Sequence, residues 1–203
     1  MKELLFVVVG MLVFGSVGVG SVGDDAVGGV ERVVLEFFQP CVVEDEGFVT
    51  VAVEGANAYH FHPGEPVLPV FVSTLSFPFG TRIVDVECRV GEVKSRGLSV
   101  VISPAPQPVV VGSQVKAPVV ECDRVIYSSD GLFPDVWCSY STGGGLDEQN
   151  VYRTFCTLKV YPVRYNPVRN SISFVDRVEV CISVDEPVGD PFPEVSEYEL
   201  DEK

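Results

Sequence analysis

Apolar and polar residues alternate along several stretches of the chain, and this pattern predicts β-strands with one buried and one exposed face. Between Arg177 and Val184 every even-numbered position is valine or isoleucine, and every odd-numbered position is charged, serine or cysteine. Residues 81–90 show a similar period of two. Further strands are predicted at residues 30–38, 48–53, 67–75, 98–103 and 151–161, with shorter candidates at 109–111, 119–120 and 125–127.

Segments rich in turn-forming residues separate these strands. Pro162, Asn166, Pro167 and Asn170 lie between two β-rich runs, where proline removes a ladder donor and asparagine favours a turn. Residues 141–150 contain three consecutive glycines, which predicts an exposed loop. No helix-length stretch outside the N-terminal segment has a period of 3.6. The sequence therefore predicts an all-β chain, a single-domain antiparallel β-sandwich of two sheets over about residues 30–184.

Composition and charge fit a folded, acidic domain. The 203 residues suffice for one large domain, and 46% of them are hydrophobic, which excludes disorder for most of the chain. The net charge of −15 repels phosphate backbones, so nucleic acid is not expected as a partner. We interpret the acidity as a source of solubility, with a salty medium or a basic protein partner as alternatives.

The two ends of the chain differ from its middle. Residues 4–22 carry no charge and end in small residues before Asp24, which predicts a signal peptide over residues 1–23. A retained N-terminal helix that anchors the protein in a membrane is the alternative, because the apolar run approaches the ~20 residues that span a bilayer. Residues 24–184 then form the domain, and residues 185–203 form an acidic, proline-rich tail or linker. In either case we expect a secreted or cell-surface protein.

Six cysteines in an exported chain indicate disulfide bonds. Cys122 and Cys138 bracket a turn-rich segment, and closing a loop of that size would contribute ~3 kcal/mol. Cys181 would be exposed on its strand, so we expect it to be paired, with Cys156 on the neighbouring strand as a candidate. Cys88 shares its strand face with valines and is interpreted as a buried free thiol. No Cys-x-x-Cys spacing supports a zinc or redox site.

Four segments resemble, in their order along the chain, one known family. They are residues 63–69 (Pro-Gly-Glu-Pro-Val-Leu-Pro), 77–80 (Phe-Pro-Phe-Gly), 104–108 (Pro-Ala-Pro-Gln-Pro) and 160–174 (Val-Tyr-Pro-Val-Arg-Tyr-Asn-Pro-Val-Arg-Asn-Ser-Ile-Ser-Phe). They resemble the propeptide of the gingipain-type cysteine peptidases, family C25. The resemblance implies a β-sandwich that binds a C25 catalytic domain and inhibits it or assists its folding. It also implies that the catalytic cysteine and histidine belong to the domain after the propeptide, so this chain is not itself an enzyme.

The resemblance further implies a loop whose basic residue enters an acidic specificity pocket of the peptidase. Lys94 and Arg96 in residues 94–97, and Arg153 at the edge of residues 147–153, are the first candidates, and Arg164 and Arg169 are third choices. An ordinary surface charge is the alternative for each of them. The partner would be a C25 peptidase domain, in cis within a longer precursor or in trans.

Other residues do not combine into a catalytic, metal or cofactor site. His60 and His62 would share one strand face, but two histidines do not complete a zinc site, and Glu65 is the nearest third ligand in sequence. Residues 141–145 lack the Lys-Ser/Thr of a phosphate loop. We expect no cofactor and no metal. The alternative function is a structural or adhesive β-sandwich at the cell surface, without a peptidase partner.

Overall fold

The computed structural model describes residues 28–108 and 120–187. Within these residues the chain is all-β, as predicted, with a single helical turn. The strands are β1 (Gly28–Glu36), β2 (Cys41–Asp45), β3 (Phe48–Ala52), β4 (Ala58–His60), β5 (Leu68–Pro78), β6 (Arg82–Val90), β7 (Lys94–Gly97), β8 (Cys138–Leu146), β9 (Tyr152–Val160), β10 (Val163–Asn166), β11 (Ser171–Phe174) and β12 (Arg177–Asp185), and the helical turn is α1 (Arg124–Tyr127).

The described strands form four antiparallel sheets, where the sequence predicted two. The two larger sheets have the strand orders β4-β5-β9-β8 and β1-β12-β6. A second three-stranded sheet has the order β10-β11-β7, and β2 and β3 form a hairpin. The signal peptide or anchor, the strand candidate at 109–111, residue 119 and the tail from residue 188 lie outside the described residues.

One hydrophobic core joins these sheets. It forms because apolar residues recur with the period of two that the sequence predicted, which places them together on the inward faces of the strands. Val178, Val180 and Ile182 of β12 are fully buried, and so are Leu158 and Val160 of β9. The core also includes residues of β3, β5, β10 and β11, among them Val49, Leu68, Tyr165 and Ile172. Each fully buried Val, Leu or Ile side chain stabilises the fold by about 1.5–3 kcal/mol relative to exposure.

The prediction of a loop at residues 141–150 is wrong for its first half. Residues 141–146 belong to β8, and the turn is confined to residues 147–151. The glycines are accommodated because aromatic rings lie against their backbone: a Cβ on Gly144 would lie 3.3 Å from the Phe79 ring, and one on Gly145 would lie 3.4 Å from the Phe155 ring. These rings supply the packing that the glycine positions lack, so the segment is ordered despite its intrinsic entropy cost.

The proline- and asparagine-rich connector is a hairpin of its own. β10 and β11 pair around a turn at residues 167–170, with Asn170 at φ 45°. The Oδ1 atom of Asn166 accepts a hydrogen bond of 2.9 Å from the Arg169 amide, and Asn170 accepts one of 2.9 Å from the Tyr165 hydroxyl. The turn therefore lies where the sequence predicted it. The strands on either side of the turn, β10 and β11, belong to a third sheet.

Two further strand predictions, at residues 98–103 and 125–127, are also wrong. Residues 125–127 lie in α1, because the Oδ1 atom of Asp123 accepts hydrogen bonds from the Val125 and Ile126 amides and caps the helical turn. Residues 98–103 form no strand: Ile102 makes an isolated bridge to Val49 beside β3. Alternation alone did not distinguish these cases, because side-chain caps and single bridges leave no period in the sequence.

The disulfide bond differs from both predicted pairs. Cys138 at the start of β8 pairs with Cys88 of β6, with a Cα–Cα distance of 6.3 Å, so this bond links the four-stranded sheet to the sheet β1-β12-β6. Cys122, Cys156 and Cys181 are free thiols, as is Cys41. The pairs Cys122–Cys138 and Cys156–Cys181, and the free Cys88, are therefore wrong, because the partner of Cys138 comes from a strand 50 residues away.

Candidate functional site

Lys94 and Arg96 lie on β7, an edge strand of the sheet β10-β11-β7, and not on a loop. The Nζ atom of Lys94 donates a hydrogen bond of 2.8 Å to the Oδ2 atom of Asp176, which raises the pKa of Lys94 and lowers that of Asp176. Arg96 is exposed, and its Nη1 atom reaches the Pro40 carbonyl at 3.5 Å. Of these two basic residues, Arg96 is therefore the one that pairs with no acidic side chain of the described ranges.

Arg153 closes the turn between β8 and β9 and does not project freely from it. Its Nε atom donates a hydrogen bond of 3.0 Å to Oδ2 of Asp147. The Oδ1 atom of Asp147 accepts hydrogen bonds of 2.9 Å from the amides of Gln149 and Val151. The bond from Val151, followed by the one from Arg153, lowers the pKa of Asp147. Asp147 thus organises the turn, and Arg153 pairs with it.

We expect this turn to lose support in acid. Because the pKa of Asp147 is lowered in the folded state, its contribution is present above the ordinary carboxyl pKa of about 3.9 and is lost as the pH falls through the lower folded value. The Val151 amide resonance should titrate with a midpoint below about 3.9 in NMR spectra, and this titration should vanish in Asp147→Asn. A midpoint at or above the ordinary value would contradict this assignment.

Arg164 and Arg169 have structural partners as well. The guanidinium of Arg164 donates hydrogen bonds of 2.8 and 2.6 Å to the carbonyls of Pro134 and Asp135, and it lies 4.9 Å from the centroid of the Trp137 ring. Arg169 pairs with Asp130 at 2.9 Å. Both arginines fasten the segment before β8 to the β10–β11 hairpin, which makes them unsuitable as free anchors for a partner.

The two histidines lie in an aromatic environment at β4. The Nε2 atom of His60 is 2.5 Å from Oε2 of Glu65, and its ring centroid is 5.0 Å from that of His62 and 5.4 Å from that of Phe133. Glu65 is thus a neighbour of His60, as the sequence suggested. Within the described ranges, no group of three or more histidine, cysteine, aspartate and glutamate side chains is arranged to hold a metal ion.

The free thiols show no feature of a nucleophile. Burial raises the pKa of Cys156, which lies in the core, and also that of Cys122, so less thiolate forms at neutral pH. The Sγ atom of Cys181 contacts Oε1 of Glu179 at 3.8 Å.

His60 and His62 line a cleft of about 220 Å³, which the sequence did not predict. Its lining includes Tyr59, Phe61, Val72, Lys159 and Tyr161. Tyr59 and Phe61 are 48% and 58% exposed, so two aromatic side chains that could be buried face solvent here. The run of aromatic residues and histidines at 59–62 was the available signal, but the side chains that meet it come from β5 and β9.

No helix within the described ranges has the length and apolar character needed to cross a membrane.

A family model matches most of this chain, and two solved structures resemble its fold. The model of the family Propeptide_C25 matches residues 34–194. Two solved structures from Porphyromonas gingivalis have similar folds, each with a TM-score of 0.57. The complex of RgpB pro- and mature domains is 15% identical in sequence and covers 86% of this chain and 89% of its own. The structure concerning the zymogenic latency of gingipain K is 19% identical and covers 78% and 88%. No curated protein matches the sequence.

Proposed function

Because the chain belongs to the Propeptide_C25 family, we propose that it binds the catalytic domain of a C25-type cysteine peptidase and inhibits that domain or assists its folding. The family match over residues 34–194 carries the proposal, since it runs from within β1 to beyond β12. The matched family is a propeptide and not a catalytic domain, so the chain is a pro-region and not an enzyme. The similar RgpB structure is a complex of pro- and mature domains, which supports a peptidase as the partner.

We also propose that the protein acts outside the cytoplasm, secreted or at the cell surface, with the peptidase in cis or in trans. The disulfide between Cys88 and Cys138 supports this location, because disulfides persist in oxidising compartments and are rare in the cytosol.

Among the three basic residues first considered as contacts, Arg96 suits a partner best. Lys94 and Arg153 would have to give up ion pairs with Asp176 and Asp147 before they could enter a pocket. Arg96 has one long hydrogen bond, to the Pro40 carbonyl, among the described contacts, and it lies on an edge strand that pairs with β11. The backbone of this strand is already ordered, so binding through it costs little backbone entropy.

The proposed function is tested by mixing the purified chain with a C25 peptidase domain from the same organism. We expect a stable complex, with slower hydrolysis of a peptide substrate or a higher yield of refolded peptidase. Arg96→Ala should weaken the complex about tenfold, as expected for a residue that makes an interface contact. Arg82→Ala removes another exposed arginine, on β6 in a different sheet, and should leave affinity unchanged.

The outcomes test the proposed function and the role of Arg96 separately. A chain that forms no complex and changes neither hydrolysis nor refolding would refute the proposed function. A normal complex with equal affinity for Arg96→Ala and the unsubstituted chain would keep the function and remove Arg96 from the interface.

A further inference from the structure

Lys159 is an exposed cation on the outward face of the four-stranded sheet. Its neighbours Leu158 and Val160 are fully buried, so the alternation of β9 directs the lysine away from the core. On the adjacent strand β5 its register partner is Val72, which lies with it in the wall of the cleft. The side chain of Lys159 is therefore presented by the centre of a paired sheet and not by a loop.

No acidic side chain of the described residues neutralises this lysine. Arg32, Arg89, Lys94, Arg153 and Arg169 each pair with an aspartate or glutamate, whereas Lys159 forms no ion pair or hydrogen bond in the described part of the chain. Glu65 is bonded to His60, which also lines the cleft. Arg82 and Arg96 likewise form no ion pair with a described residue, but Lys159 differs from them because it lines a cleft.

Two exposed aromatic rings share the cleft with this cation. Tyr59 and Phe61 line the same cleft and are about half exposed, while Tyr161 in its wall is 8% exposed. Aromatic side chains around a charge are typical of the few residues that contribute most to protein interfaces. The cleft volume of about 220 Å³ is below the ~300–1,000 Å³ of most small-molecule sites, so it fits one or two side chains better than a cofactor.

We propose that this cleft receives an acidic side chain that is followed by an aromatic or aliphatic one, both from a surface segment of the peptidase domain. The carboxylate would pair with Lys159, and the apolar side chain would cover Tyr59 and Phe61. The inference rests on the proposed function for the identity of the partner. The acidic-apolar chemistry of the segment follows from the cleft, which Lys159 lines together with two histidines and with aromatic and aliphatic side chains. The cation is complementary to a carboxylate, and the aromatic and aliphatic side chains are complementary to an apolar group.

A short peptide tests the chemistry of the cleft without any peptidase. The full chain is titrated with acetyl-Glu-Phe-amide and, as the matched neutral ligand, acetyl-Gln-Phe-amide, while NMR follows the Lys159 side chain and the rings of Tyr59 and Phe61. We expect the glutamate peptide to bind with a Kd of about 1–10 mM and the glutamine peptide at least fivefold more weakly, about the range for a ligand of this size. Lys159→Met should abolish the difference between the two peptides, and Lys159→Arg should retain it.

A second measurement uses the peptidase domain of the previous experiment. Lys159→Glu should weaken the complex at least tenfold, whereas the charge reversal Arg82→Glu, on β6 in a different sheet, should change affinity by less than about twofold. Equal binding of both peptides, or a complex that is insensitive to Lys159→Glu, would overturn the inference while the proposed function stands. Selective peptide binding by a chain that forms no complex with the peptidase would support the cleft chemistry and refute the proposed function.

Discussion

Removing the disulfide by the double substitution Cys88→Ser/Cys138→Ser is expected to lower the free energy of unfolding by about 4 kcal/mol. The bond joins residues 50 positions apart, and closing a loop of this length restricts the unfolded chain by roughly that amount. It also links β6 to β8, strands of different sheets that otherwise make few contacts with each other. The double variant avoids the complication of one remaining unpaired thiol.

Urea unfolding of the oxidised protein, the reduced protein and the double variant measures this effect. The reduced protein and the double variant should have the same lowered midpoint and a similar m-value. Cys41→Ser removes an exposed free thiol and should change stability by less than about 0.5 kcal/mol. A double variant as stable as the oxidised protein would contradict a role of this bond in holding the two sheets together.

Tyr165→Ala is expected to lower stability by about 3–5 kcal/mol, the usual cost of truncating a buried aromatic side chain. Tyr165 is fully buried, and its ring centroid lies 6.3 Å from that of Tyr127. Its hydroxyl donates a hydrogen bond of 2.9 Å to Asn170, the residue with positive φ in the β10–β11 turn. The substitution therefore leaves a cavity in the core and removes a donor from the turn.

Two matched variants separate the causes. Tyr165→Phe keeps the ring and loses the hydroxyl, so we expect a loss of about 0.5–1.5 kcal/mol, close to the net value of one hydrogen bond. Tyr59→Ala truncates a tyrosine that is 48% exposed and should cost less than Tyr165→Ala by at least about 2 kcal/mol. Equal unfolding midpoints for Tyr165→Ala and Tyr165→Phe would show that ring burial does not stabilise this region.

Part of the candidate site was accessible from the sequence. The basic residues Lys94, Arg96 and Arg153 could be named because they stand next to turn-forming residues. Their availability to a partner could not be predicted, because Asp176 lies 82 positions from Lys94 and the ion pair depends on the pairing of β7 with β11, which sets Lys94 opposite Phe174. The surroundings of Lys159 could not be predicted for a related reason. In sequence it is one polar position in a strand, and only the folded sheet brings Tyr59 of β4 and the adjacent Phe61 into the cleft that Lys159 lines.

For the cysteines, too, the sequence predicted one feature and the fold decided another. The sequence correctly indicated a disulfide bond, since six cysteines follow a segment that resembles a signal peptide. The choice of partners failed, because proximity along the chain favoured Cys122 for Cys138, whereas the sheets bring Cys88 to it. Cys122 and Cys138 flank the segment that contains α1, which Asp123 caps. This segment does not bring the two cysteines together.

By itself the sequence determined the all-β class, the inward face of β12 and the family, since strand alternation and local turn motifs are written in neighbouring residues. The tertiary structure decided the division into four sheets, the ordering of the glycine-rich β8, the disulfide partner and the surroundings of Lys159. All four depend on contacts between residues far apart in the chain. Such contacts form because burying both faces together lowers the free energy, and no local pattern records which faces meet.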